Sequence, residues 1–295
     1  MFKGNRMKIR KLSLLLFLWV FVSVQSAHAG SSVWKVVKGD NQLFIGGTIH
    51  VLTESDYPLP SAFEKAYTQS AKLVLETDMQ KMQDPEFQMQ MLGKMVYTDG
   101  RNLKMVLNDA TYKDLSTHLS SQGIPVDTLI QFKAGMMAMT LTIIELQRLG
   151  LIGEGVDQFF SDRALKDQKT LGQLETVHEQ LAFISTLGDG QENEMIAYTL
   201  RDLKDLPDLL QSIKDAWENG DNRKLIKVAL TPLKTEFPDV YKALIVKRNK
   251  AWIPKIEAML KTKDVELVLV GAMHLVGDDG VLAQLAARGY HVQMF

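Results

Sequence analysis

Apolar positions form short, nearly continuous blocks toward both ends of the chain and fall at helical spacing between them. Trp34-Lys35-Val36-Val37 and Gln42-Leu43-Phe44-Ile45 flank the turn-rich quartet Lys38-Gly39-Asp40-Asn41, which predicts a hairpin. Ser61 to Ser70 predicts a short helix with Ser61 as N-cap and Glu64 at the capping-box position. Lys72 to Glu76 predicts a buried strand that finishes in a carboxylate. Beyond it the helical period takes over. Asp84-Pro85 reads as a cap and a first-turn proline. Asp127 to Leu149 predicts a long apolar helix ending at Gly150, and Val156 to Asp167 predicts another. Thr170 to Leu174 is a strand running into Glu175, and Thr176 to Leu187 is again helical. Helix-period positions continue over 190–262, broken at Pro207, Gly220, Pro232, Pro238 and Pro254.

The last segment predicts a strand at 265–270, a helix from Asp279 to Arg288, a stop at Gly289 and a strand from Tyr290 to Met294. A crossover of that length implies a parallel pair. The expected fold class is therefore α/β: a central mixed sheet formed from both chain ends, covered by a large helical insertion over 84–262. No linker or low-complexity stretch divides the chain, which predicts one domain over 30–295.

Residues 1–29 carry a different pattern. Lys3, Arg6, Lys8, Arg10 and Lys11 precede the apolar run Leu12 to Val24, and Ala27-His28-Ala29 is an A-x-A site. This predicts a signal peptide cleaved after Ala29, hence a periplasmic or secreted protein. No cysteine is present for lipid attachment and no second long apolar run follows, so no stable membrane anchor is expected after cleavage. Removing the leader takes five basic and no acidic residues from 34 and 35, leaving a net charge near −6. That argues against nucleic acid as a partner. Without cysteine there is neither a disulfide framework nor a thiolate ligand, so any metal must be held by nitrogen and oxygen donors. Met136, Met137 and Met139 read as packing, while Met89, Met91 and Met95 are suited to a flexible groove.

Two copies of one device then stand out. Gly47-Thr48-Ile49-His50 and Gly271-Ala272-Met273-His274 each follow a strand-like run, break at glycine and deliver a histidine. Residues just past the carboxyl ends of parallel strands line the ligand crevice of α/β folds. Histidine is the commonest metal ligand and general base near neutral pH. Glu76 and Glu175 fall at the ends of two further strands, although each taken alone is commonly a cap or salt-bridge residue. Together the four make a nitrogen and oxygen donor set suited to Zn²⁺, Mn²⁺, Fe²⁺ or Co²⁺. Two histidines and one carboxylate leave positions open for water, which a second carboxylate can activate.

Other residues are less telling. Asp157 in Gly155-Val156-Asp157 sits at a helix start, where capping accounts for it. Arg248-Asn249 lies in a helical stretch, and Arg248 is suited to neutralising an oxyanion or holding a substrate carboxylate. Nothing convergent surrounds His118, His178 or His291, of which His178 lies nearest a predicted site residue. There is no Gly-x-Ser-x-Gly elbow, P-loop, dinucleotide glycine motif or His-Glu-x-x-His helix.

At "FIGGTIHVL" (44–52), "LVLETD" (73–78), "GVDQFF" (155–160), "LGQLETVHEQL" (171–181), "KRNKAWI" (247–253) and "LVLVGAMHLVGDDGVLAQLAARGYHV" (267–292) the chain resembles the TraB/GumN family. The animal Tiki metalloproteases are relatives of that family. The resemblance implies an erythromycin-esterase/ChaN-like fold and a site built from His50, His274, Glu76, Arg248 and Asn249, with Glu175 included. Tiki-like members are described as divalent-metal-dependent proteases, while other branches are linked to pheromone shutdown or to polysaccharide gene clusters. The expectation is an exported metal-dependent hydrolase, in finer form a metallopeptidase acting on a peptide or protein. His50, Glu76 and His274 would hold Mn, Co or Zn, Glu175 would activate water and Arg248 would stabilise the tetrahedral intermediate. The alternative is a non-catalytic exported protein that binds a metal, a haem-like group or a peptide.

Overall fold

A computed structural model describes residues 30–295 apart from Ile152, so the leader reading lies outside the described residues. Six strands form one sheet: β1 (Val33–Lys38), β2 (Asn41–Thr48), β3 (Lys72–Leu75), β4 (Thr170–Gln173), β5 (Glu266–Gly271) and β6 (His291–Met294). Their lateral order is β4-β3-β5-β2-β1-β6. The four strands β4, β3, β5 and β2 run parallel, and β1 is antiparallel to β2 and β6. The sheet is mixed and built from both chain ends, as its sequence predicts.

The hairpin closes between Lys38 and Asn41, with Gly39 at φ 61° in the left-handed region that a tight turn requires. One expectation is corrected. Strands β5 and β6 run in the same direction but are not neighbours, because β2 and β1 lie between them. Strand β5 reads Leu267-Val268-Leu269-Val270 and is buried throughout, the mark of a parallel strand covered on both faces.

The main helices are α1 (Ser61–Gln69), α2 (Pro85–Met95), α3 (Asp109–Ser121), α4 (Ala134–Arg148) and α5 (Val156–Lys166). They continue with α6 (Val177–Ile184), α7 (Glu192–Asp202), α8 (Leu206–Glu218), α9 (Arg248–Met259) and α10 (Val281–Ala287). Asp84 caps α2 by accepting from the Glu86 amide, with Pro85 in the first turn. Thr176 caps α6 in a reciprocal capping box with Glu179.

Two helix starts differ from expectation. Helix α1 begins at Ser61 with Pro60 as the cap residue and no side-chain cap bond, because Glu64 instead pairs with Arg163 on α5. The helix expected over 127–149 starts only at Ala134. Residues before it are drawn into backbone pairing, with the amides of Tyr97, Leu103 and Lys133 bonded to Gln131, Ile130 and Met95 carbonyls. The insertion has its own core of Leu103, Leu115, Leu119, Met137, Leu141 and Ile196, apart from the sheet core around Phe44, Val268 and Trp252. Met137 packs there, whereas Met89 is exposed. No helix among the described residues is long and apolar enough to cross a membrane.

Candidate active site at the carboxyl edge of the parallel strands

Parallel strands end on the same edge, so the order β4-β3-β5-β2 sets Glu175, Glu76, His274 and His50 side by side. Backbone bonds tie these ends together. The Glu175 amide donates to the Glu76 carbonyl at 2.8 Å, and the Gly271 amide donates to Glu76 Oε1 at 2.7 Å. His274 follows β5 on the short helical turn Ala272–Leu275.

Arg248 binds this row from above. It opens α9 directly after a π-helical segment, Lys242–Lys247, a wide turn of the kind often found at functional sites. Its Nε donates to Glu175 at 3.1 Å, and its Nη2 lies 2.6 Å from both Glu76 Oε2 and Glu175 Oε1. The Trp252 Nε1–H donates to Glu175 Oε2 at 3.1 Å, one turn further along α9. Only Nη1 lacks a carboxylate partner, and it lies 3.1 Å from His274 Nε2. Arg248, Glu76, Glu175 and His274 are all buried, so these bonds act in a medium where each charge needs its partner. Glu175 is thereby committed to Arg248 and Trp252. Both of its oxygens have partners on α9 in this arrangement.

Each histidine has its Nδ1 fixed by an oxygen. His274 Nδ1 faces Asn249 Oδ1 at 2.7 Å, and Asn249 Nδ2 donates to the carbonyls of His274 and Asp279. His50 Nδ1 faces Asp157 Oδ2 at 2.8 Å, while Asp157 Oδ1 accepts from the Thr48 hydroxyl. Helix α5 is held there by close backbone approach. The Val156 amide donates to the Ile49 carbonyl, and a Cβ on Gly155 would lie 2.3 Å from the His50 carbonyl oxygen.

These environments pull the two histidines apart. The Asp157 carboxylate pushes His50 up to about 9 against the opposing effect of desolvation, although the His50 side chain is 66% exposed and solvent screens the pair. Burial brings His274 down to about 3, so it is neutral in the physiological range. Burial alone would raise Glu76, but the charges of Arg248 and His50 and the Gly271 amide hold it at about 2. Opposite displacement of neighbouring titratable groups is a recurring property of catalytic sites.

Glycine at 271 leaves a gap where the row converges. A Cβ there would stand 3.3 Å from Glu76 Oε1, 3.6 Å from His50 Nε2 and 3.6 Å from His274 Cδ2. His50, with Nδ1 held by a carboxylate and Nε2 turned to the gap, has the orientation of a metal ligand, whereas His274 turns Cδ2 to the gap and Nε2 to Arg248. The surplus of carboxylates over fixed cations also suits a divalent cation. The donor chemistry therefore fits. The arrangement, however, is filled: Arg248 Nη1 sits on the His274 Nε2 lone pair, and no group of three or more His, Asp or Glu donors among the described residues is placed to hold a metal ion. Metal uptake requires Arg248 to release that contact.

Sequence reading therefore located His50, Glu76, Glu175, Arg248, Asn249 and His274, and the structure brings all six together. It missed Asp157, which is a buried partner of His50 and no cap: the α5 N-cap is Gly155, without a side-chain cap bond. It also missed Trp252 and the open space over Gly271. The available signal was that Thr48 and Asp157 both lie in motifs already singled out; their contact belongs to the packed chain. His178 stacks on Phe87 instead, and His291 pairs with Gln293.

Fold and site define a mixed α/β protein with a histidine, carboxylate and arginine cluster at its parallel-strand edge. The model of the TraB/PrgY/gumN family matches residues 32–294, and the chain belongs to that family. It is similar to the uncharacterized protein YbaP of Escherichia coli (strain K12), at 25% identity over 248 residues spanning 84% of this chain and 88% of that protein. Similarity to YbaP of Shigella flexneri has the same identity and coverage. No solved structure matches.

Proposed function

We propose that this protein is an exported hydrolase whose reaction takes place in the gap over Gly271, and in finer form a metal-dependent peptidase. One observation carries the reading: His50 Nε2, His274 and Glu76 Oε1 meet around a space that a single methyl group would fill. A divalent ion (Mn, Co or Zn) would be held by His50, His274 and Glu76. When bound it would supply Lewis acidity and a water that ionises near neutral pH.

The chain's own groups have separable tasks. Asp157 turns the His50 ring so that Nε2 faces the gap, and Asn249 fixes the His274 ring with Nε2 toward Arg248. Glu175 and Trp252 hold Arg248 in register. The Arg248 Nη1, free of carboxylates, is placed to donate to an oxygen that gains negative charge during attack on a carbonyl. Glu76 remains a carboxylate throughout the neutral range and turns Oε1 to the gap. The substrate in this reading is a peptide or protein met in the periplasm or outside the cell.

The test is metal analysis of the purified protein followed by an unbiased peptide-library digest with and without added Mn²⁺, Co²⁺ or Zn²⁺. Cleavage that depends on one of these ions is the expected result. Bound metal without turnover of any library member would sink the enzyme reading and leave a binding protein that uses the same residues.

A further inference from the structure

His50 also borders a second feature, whose wall includes none of Gly271, Glu76 and His274. A pocket of about 560 Å³ opens between α4, α7 and residues 233–244, with His50 and Val51 in its wall. Its volume is in the range of small-ligand sites. Ala138, Leu146, Phe237, Val240 and Leu244 supply much of the wall, and Met139 and Met195 add adaptable side chains. Among the described residues, no acidic or basic side chain other than His50 lines it.

Its few polar groups are largely spent. The Thr142 hydroxyl donates to the Ala138 carbonyl at 2.9 Å and the Thr199 hydroxyl to the Met195 carbonyl at 2.8 Å. Most of the wall consists of helix faces, whose amides and carbonyls are paired within their own helices. A peptide backbone entering the pocket would bury amide groups without partners, which carries a desolvation penalty. A hydrocarbon chain has no such groups and gains from leaving water.

We propose that this pocket receives a hydrocarbon acyl chain whose carbonyl end lies at His50, so that the substrate is an acylated amine or alcohol. The inference rests on the hydrolase reading and names the substrate class of the same site. In the reaction, water adds to the acyl carbonyl and the carbon–nitrogen or carbon–oxygen bond breaks. The fatty acid leaves with the water oxygen, and the proton goes to the departing amine or alcohol.

The experiment is displacement of the neutral fluorophore N-phenyl-1-naphthylamine from the purified protein by dodecanamide, butanamide and a blocked apolar tripeptide. Dodecanamide should displace the probe saturably, butanamide far less well and the tripeptide not at all. Ala138→Phe, which fills the pocket, and Ile143→Asp, which places a charge at its exposed rim, should each weaken displacement by about tenfold or more. Absence of saturable binding overturns the proposal. So does binding that neither variant alters, or displacement by the tripeptide at lower concentration than dodecanamide.

Binding needs no turnover, so the two readings fail separately. Chain-length-dependent displacement with no hydrolysis of dodecanoyl amides or esters, with or without added metal, supports the acyl pocket and sinks the hydrolase. Metal-dependent peptide cleavage by a protein that does not bind dodecanamide sinks the acyl pocket alone.

Discussion

His274 Nδ1 lies 2.7 Å from Asn249 Oδ1. The amide cannot be flipped, because Asn249 Nδ2 already donates to two backbone carbonyls, of His274 and Asp279. Nδ1 therefore carries the proton, and Nε2 presents its lone pair to Arg248. A fully buried residue thus sets the tautomer of the histidine that the site depends on.

Asn249→Ala should strip that restraint and take from the buried imidazole N–H and the His274 carbonyl their side-chain partner, while the Asp279 carbonyl keeps Gln284. The expected cost is about 1–3 kcal/mol for each buried group left unsatisfied, read as a lower urea midpoint. Nitrogen NMR of His274 should also lose its single-tautomer signature. An unchanged tautomer in the folded variant would count against the orienting role.

Arg248→Ala should destabilise the fold as well as abolish function, because Glu76 and Glu175 would remain buried without their shared cation. Breaking a buried pair in this way costs about 3–5 kcal/mol. Arg248→Lys should recover little, since one ammonium cannot reproduce the planar fork that reaches both carboxylates and His274. Chemical denaturation checks both. An alanine variant as stable as the parent would show that the carboxylates are solvated or protonated in the native state.

Stability of the metal-free protein should peak near pH 6.5 and fall on both sides. His274, depressed to about 3, is neutral when folded, while the unfolded chain takes up a proton as pH drops below 6.5. Stability is therefore lost progressively from about 6.5 toward 3. Glu76, held at about 2, contributes stability above its ordinary 4.5 that is lost as pH falls through 2. His50 has the opposite sign: its stabilisation is complete below 6.5 and is lost as pH rises through about 9. A urea midpoint that climbs steadily from pH 7 to 10 contradicts the His50–Asp157 coupling. Asp157→Asn should bring the His50 titration, followed by proton NMR, down from about 9 toward 6.5.

Gly271→Ala separates site from scaffold. The backbone at Gly271 has φ −49° and ψ 134°, which an L-residue adopts without strain, so stability should change by less than about 1 kcal/mol. The added methyl would nevertheless stand among Glu76, His50 and His274. Turnover or metal uptake should fall by roughly 10², the scale of misplacing a reacting group by about 1 Å. A variant that keeps both at parental levels places the chemistry elsewhere.

The strand ends were legible in the chain because their signals are local. Apolar runs broken by glycine mark β2 and β5, and runs that finish in glutamate mark β3 and β4. Since parallel strands must present their carboxyl ends together, the row of four polar residues follows from those runs. Arg248 and Asn249 were visible as polar residues without a local partner.

What only the tertiary structure decided are relationships between segments far apart in sequence. Asp157 in a first helical turn looks like any capping acid until Thr48 and His50 are brought against it, 109 and 107 residues away. Glu175 reads as a candidate base, and only the fold brings Arg248 and Trp252 to its oxygens. The start of α4 depended on backbone pairing between residues near 96 and 132, which overrides helical spacing. Lateral strand order depended on where the N-terminal hairpin inserts, and β5 and β6 carry no mark of the two strands between them. Periodicity and propensity act over a few residues, whereas hydrogen-bond partners, burial and charge neighbours belong to the packed chain.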